Sequence, residues 1–164
     1  MDWLEENPSP SEWIELEFSR LRNNPTYEPK SPVDQDYNCI AFAADDTERW
    51  WWPPGPFGGG SYWPPEAPTE LTVESFIAVF RTLGYELCSD GTPEEGYEKV
   101  AIYEKRGEPT HAARQEPDGR WLSKLGQGYD IVHQALEDIG GENGYGDVAV
   151  FLRRIRPAPP GTSE

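Results

Sequence analysis

The sequence predicts an α+β domain, with N-terminal helices packed on a mostly antiparallel sheet of about five strands. Three observations lead there. Val73, Phe76, Ile77, Phe80 and Leu83 recur at helical spacing in the first half of the chain. The second half instead holds short runs of strand character, bounded by turn residues. Two of those runs flank Pro117-Asp118-Gly119, a strong hairpin signal.

Taken in order, Ser9 to Arg22 reads as a first helix, with Pro10 near its start and Trp13, Ile14, Leu16, Phe18 and Leu21 as its apolar positions. A polar linker from Asn23 to Asp36 leads to Cys39. Asp36 or Asn38 suits the N-cap of the next helix, which leaves Cys39 in its first turn and Ile40, Phe42 and Ala43 as core anchors. Prolines and glycines then break any regular structure across residues 50–68, although Trp50, Trp51, Trp52 and Trp63 fall there. A loop so aromatic either covers the core or faces a ligand. Thr72 caps the helix that runs to Leu83 and stops at Gly84. Strands are expected at Tyr85–Cys88, Lys99–Tyr103, His111–Gln115 and Trp121–Lys124, then a helix from Asp130 to Ile139 ended by Gly140-Gly141, and a closing strand from Val148 to Ile155. One domain over residues 1–156, with a tail from Pro157, accounts for the chain.

Composition narrows the function. Thirty acidic against fourteen basic residues give the 164-residue chain a net charge of −16. That field disfavours nucleic acid and anionic lipid, and it tolerates basic proteins, cationic peptides or neutral substrates. Nothing in the composition sets an oligomeric state. Cys39 and Cys88 are too few for a disulfide framework, and with His111 and His133 they show no zinc spacing, so neither metal nor cofactor is expected. The opening Met1-Asp2-Trp3-Leu4-Glu5-Glu6 lacks a basic, apolar leader and no window is apolar enough to span a membrane, which points to the cytoplasm.

Cys39 and His111 are the residues with chemistry to offer. A thiol at a helix start beside an imidazole has the dipole and the base that make a thiolate near neutral pH. Against this, free cysteine is a common core residue, and a histidine at a strand entrance is often structural. Cys88 reads as core packing, and His133 as a residue of the Asp130–Ile139 helix. Gln115 shares a face with His111 but lies about 13 Å further along the strand, whereas Ser123 on the paired strand is within reach. Lys124 should point to the face opposite Ser123 and pair with a carboxylate. Asp45 and Asp46 close the Cys39 helix.

The order of these residues resembles that of papain-like cysteine hydrolases, in particular the NlpC-type and CHAP-type peptidases and amidases. There a cysteine opens a helix, a histidine opens a later strand, and a polar residue on the next strand orients the imidazole. The resemblance implies a papain-like fold and hydrolysis of an amide or thioester bond. Cys39 would be the nucleophile, His111 the base and then acid, and Ser123 the orienting residue. Asn38 and Tyr37 would lie by the oxyanion hole, with Trp51, Trp52 and Trp63 walling the substrate cleft. The Asn38-Cys39-Ile40-Ala41 block, the Trp50-Trp51-Trp52-Pro53 loop and the block from Trp121 through Ser123-Lys124-Leu125-Gly126 also resemble an uncharacterised bacterial domain family, over roughly Tyr37 to Phe151. The rival expectation is an acidic binding module without catalysis, either of immunity or inhibitor type or an inactive relative of the hydrolases whose Cys–His pair survives only as packing.

Overall fold

The structure is a computed structural model that describes residues 14, 18, 20–21, 27–31, 37–44, 46, 48–53, 62–125, 129–142 and 144–156. Its centre is the pair β3 (Tyr97–Lys105) and β4 (Glu108–Gln115), joined by a two-residue turn. Arg106 and Gly107 both have left-handed backbones, φ 55° and 84°, as a type I′ hairpin requires. From there β4 pairs with β5 (Trp121–Lys124), β5 with β6 (Asp130–His133), and β6 with β1 (Glu28–Ser31). On the other side β3 pairs with β7 (Asp147–Ile155), which carries β2 (Glu86–Cys88). The result is a seven-stranded antiparallel sheet in the order β1-β6-β5-β4-β3-β7-β2.

Two α-helices are described end to end: α1 (Cys39–Ala43) and α2 (Val73–Thr82). Thr72 caps α2 by accepting from the Ser75 N–H at 3.1 Å, and Leu83 and Gly84 follow its end, as the spacing predicts. The expected Ser9–Arg22 helix lies mostly outside the described residues, of which Ile14, Arg20 and Leu21 are helical.

The papain-like arrangement is not the fold of this chain. Instead of N-terminal helices on about five strands, seven antiparallel strands dominate and the two helices are short. Two segments account for much of the difference. Glu28–Ser31, within the expected linker, is an edge strand whose Pro29 an edge tolerates. Asp130–His133, within the expected helix, is a strand with all four residues buried, and only Leu136–Ile139 coils, as a single 3₁₀ turn. β-branched Ile131 and Val132 suit an extended chain held between β1 and β5.

Both faces of the sheet are covered, so the run Glu98–Tyr103 in β3 is buried without a break. Val100, Ile102, Ala112 and Leu152 pack under α1, α2, Trp51 and Trp63. Ala101, Tyr103, Ala113, Trp121 and Ile131 pack on the opposite face with Ile14, Phe18, Leu21 and Ile139. The period-two alternation of β4 therefore assigns Ala112 to one face and His111 to the other.

Candidate functional site

Asn38 builds the start of α1. Its Oδ1 accepts from the N–H groups of Ala41 and Trp51, both at 3.1 Å, and its Nδ2 donates to the Trp51 carbonyl at 2.9 Å. One buried amide thus caps the helix and staples the tryptophan loop to it. Cys39 follows in the first turn and is buried. Its Sγ lies 4.0 Å from the Thr110 carbonyl oxygen. Burial pushes the thiol up to about 11, against smaller opposing effects from nearby backbone N–H groups and Lys124.

His111 is the residue next to Thr110, yet its ring turns to the other face of the sheet. It stacks on Tyr145 with centroids 4.0 Å apart and planes 9° from parallel, and it meets Tyr103 edge-on at 5.2 Å. Both ring nitrogens are buried without a hydrogen-bond partner among the described residues. Burial, and secondarily the nearby His133, hold its pKa well below the ordinary histidine value. Cys39 thus touches the backbone beside His111 while the imidazole lies across the sheet. The structure brings the two residues close in the fold, but not thiol to ring.

Ser123 pairs with the other histidine. Its Oγ is 2.8 Å from His133 Nε2, while His133 Nδ1 is 2.9 Å from the Ala135 carbonyl oxygen. A carbonyl only accepts, so Nδ1 carries the proton and Ser123 donates to Nε2. Both side chains are fully buried. His133 reaches this position because it sits on a strand, not on the expected helix. Burial lowers its pKa, opposed by the Ala135 hydrogen bond and by Asp138.

Lys124 points to the α1 face, opposite Ser123, as the alternation predicts. It is fully buried, faces Asp130 in the strand register, and holds its Nζ 5.1 Å from the centre of the Tyr37 ring. Among the tryptophans, Trp51 and Trp63 are core residues: Trp51 Nε1 donates to Asp46 at 2.8 Å and Trp63 Nε1 to the Pro68 carbonyl at 2.8 Å. Tyr37 is also buried in that core, 5.8 Å from Phe42. Trp52 is only half-buried, edge-on to Phe76 at 5.5 Å. Asp45 lies outside the described residues. Gln115 donates to the Gly91 carbonyl at 2.7 Å, away from the imidazole. Cys88 is half-buried on the edge strand β2. No group of three potential metal ligands occurs among the described residues.

Sequence reasoning missed a concavity at the β3–β4 turn. Trp52, Leu71, Lys105, Glu108, Pro109 and Tyr145 are among the residues that line this open groove of about 570 Å³. Its residues come from four distant segments, and none of them forms a local motif.

A family model described as a domain of unknown function, DUF7689, matches residues 28–153. The chain belongs to this family. No curated protein and no solved structure matches it. The matched span covers the whole sheet short of the last two residues of β7, together with α1, α2 and the groove. Nothing in these comparisons links the chain to papain-like hydrolases. No helix among the described residues is long and apolar enough to cross a membrane.

Proposed function

We propose that this chain is a binding module for a basic protein partner and performs no thiol chemistry. The observation that carries this reading is the separation of Cys39 from the His111 ring by the sheet, with the thiol pushed up to about 11. A thiol hydrolase needs a thiolate near neutral pH and a base in reach of it. Cys39 has neither, and the Ser123–His133 pair is fully buried, so no substrate can reach it.

The acidic surface supports the choice of partner. The chain carries 16 more carboxylates than cations. Many of its described cations are already engaged: Lys99 and Arg153 with Glu94, Arg154 and Arg156 with Glu98, Arg120 with Asp118, and Arg49 with Asp46. Glu66, Glu70, Glu74, Glu86 and Glu95 remain exposed. A field of this sign speeds encounter with a cationic surface and repels an anionic one.

Two measurements test the reading together. Iodoacetamide applied to the folded protein should label Cys88 and spare Cys39, with both labelled after denaturation. Fluorescence anisotropy should show binding to labelled polylysine that weakens steeply with added salt, and none to polyglutamate. Rapid labelling of folded Cys39, capture of an amide-bond probe through it, or failure to bind polylysine at low salt would overturn the proposal.

A further inference from the structure

The groove at the β3–β4 turn carries a charge opposite to that of the molecule. Two cations, Lys105 and Arg106, line it against one carboxylate, Glu108, in a chain whose net charge is −16. The rest of its lining is largely apolar and braced from behind. Trp52 rests edge-on against Phe76, Pro109 is buried, and Tyr145 stacks on His111. Leu71 stands among them 38 % exposed, although a leucine gains by burial. The volume, about 570 Å³, falls within the range of small-molecule clefts.

Both cations are held in place, and neither is fully neutralised. Lys105 donates to the carbonyls of Glu142 at 2.5 Å and Gly144 at 3.2 Å. Those acceptors orient the ammonium but carry no net charge, and they take two of its three donors. No carboxylate lies at ion-pair distance from Lys105 among the described residues. Arg106 has the Glu142 carboxylate at 3.8 Å, but the two side chains are 84 % and 83 % exposed, and such a pair is weak. Arg106 also holds its left-handed backbone, φ 55°, at a turn position that favours asparagine or glycine. An arginine kept there against its backbone preference has a reason in what its side chain does. Glu108, opposite Lys105 in the strand register, is exposed, and it leaves one cation in excess.

We propose that the groove binds a small organic anion, an apolar or aromatic body bearing one acidic group. The body lies against Trp52, Leu71 and Tyr145, and the acidic group accepts from Lys105 and Arg106. Hydrogen bonds between ionised partners are shorter and stronger than neutral ones. The acidic remainder of the surface limits the size of the ligand. It repels an extended anion such as a nucleic acid or an anionic membrane, so the groove takes only a ligand whose charge stays inside it. A basic segment is the wrong occupant, because it would meet Lys105 and Arg106. This site is separate from the acidic surface that attracts the basic partner, and neither reading depends on the other.

The probe is anilinonaphthalene sulfonate, an aromatic anion that fluoresces when bound, compared with phenylnaphthylamine, the same ring system without the sulfonate. Titration of the folded wild type at physiological salt should show saturable binding of the sulfonate, about tenfold tighter than the amine or more. Lys105→Met and Arg106→Asn should each weaken the sulfonate by about tenfold and leave the amine unchanged, whereas Leu71→Ser should weaken both. Asparagine suits the left-handed turn, so Arg106→Asn should lose ligand while keeping or raising the wild-type melting temperature. Amine bound as tightly as the sulfonate, sulfonate binding that does not saturate, or sulfonate binding indifferent to both cation variants would overturn the proposal. Polylysine binding by the same proteins reports separately on the basic-partner reading, which each of these outcomes leaves standing.

Discussion

His111 lies face to face with Tyr145, ring centroids 4.0 Å apart, and neither of its nitrogens has a hydrogen-bond partner among the described residues. Imidazole at this position is used as a flat ring. Tyr145 belongs to a tight loop closed by the Gly141–Gly146 bridge, and Thr110 Oγ1 donates to its carbonyl at 2.5 Å. The stack therefore joins the sheet to the groove wall, and the neutral ring is the form that fits.

That arrangement predicts acid sensitivity. Among the described residues, the groups facing His111 are Tyr103 from β3, Tyr145 from the loop, and His133 from β6. None of them is a carboxylate that would welcome a proton on the ring. Because burial holds the folded pKa of His111 well below the unfolded value near 6.5, the unfolded chain takes up protons that the folded chain refuses. Stability is thus complete above about pH 6.5 and falls as the pH drops toward the folded pKa. Asp90 and Glu94 are held below the usual carboxylate range, so their contribution is lost only at lower pH. Urea midpoints at about pH 7.5 and pH 5 should show the fall, and His111→Phe should flatten it while keeping the stack. His133, also lowered, leaves a residual slope. A pH-independent midpoint in the wild type would contradict the account.

The Cys39 helix was legible because its signal is local: an Asn38 cap, then an apolar run. The Pro117-Asp118-Gly119 turn was legible for the same reason, with Gly119 at φ 94° and the Glu116 N–H donating to the Arg120 carbonyl at 2.7 Å. Which face of the sheet α1 covers is not a local property. α1 packs on the side of Ala112, beside Thr110 and Lys124, and strand alternation then sends His111 the other way. The strand Asp130–His133 was lost because Ile131, Ala135, Leu136 and Ile139 also fit a helical spacing, and Gly140-Gly141 mimics a helix stop. Burial of that strand on both faces erased the alternation that would have marked it. The groove was invisible for a further reason, since its walls come from four segments brought together only by the sheet.

Ser123 and His133 form a closed buried pair, so their role is structural, and the energetics follow from satisfaction of Nε2. Ser123→Ala strands that nitrogen in the core and should cost about 1–3 kcal/mol in denaturant-derived stability. Ser123→Ala with His133→Phe removes that donor and acceptor together but leaves the Ala135 carbonyl without its Nδ1 donor, so it should recover only part of the loss. A single Ser123→Ala variant as stable as the wild type would show that Nε2 finds another donor.

Asn38 does more than cap a helix, and its three hydrogen bonds make the difference measurable. As an ordinary cap, asparagine and aspartate are nearly equivalent, because each supplies an acceptor oxygen to the helix N–H groups. Here the Nδ2 group also donates to the Trp51 carbonyl at 2.9 Å, and the side chain is buried. Aspartate would place a second oxygen against that carbonyl and bury a charge beside it. Asn38→Ala should therefore cost about 2–4 kcal/mol, the sum of a lost cap and stranded Trp51 backbone groups. Asn38→Asp should fail to rescue it, despite its good intrinsic capping. Chemical denaturation reads the loss, and tryptophan fluorescence reads its location, since release of Trp51 should shift emission to the red before the sheet unfolds. An Asn38→Asp variant as stable as the wild type would reduce Asn38 to a simple cap and detach the tryptophan loop from α1.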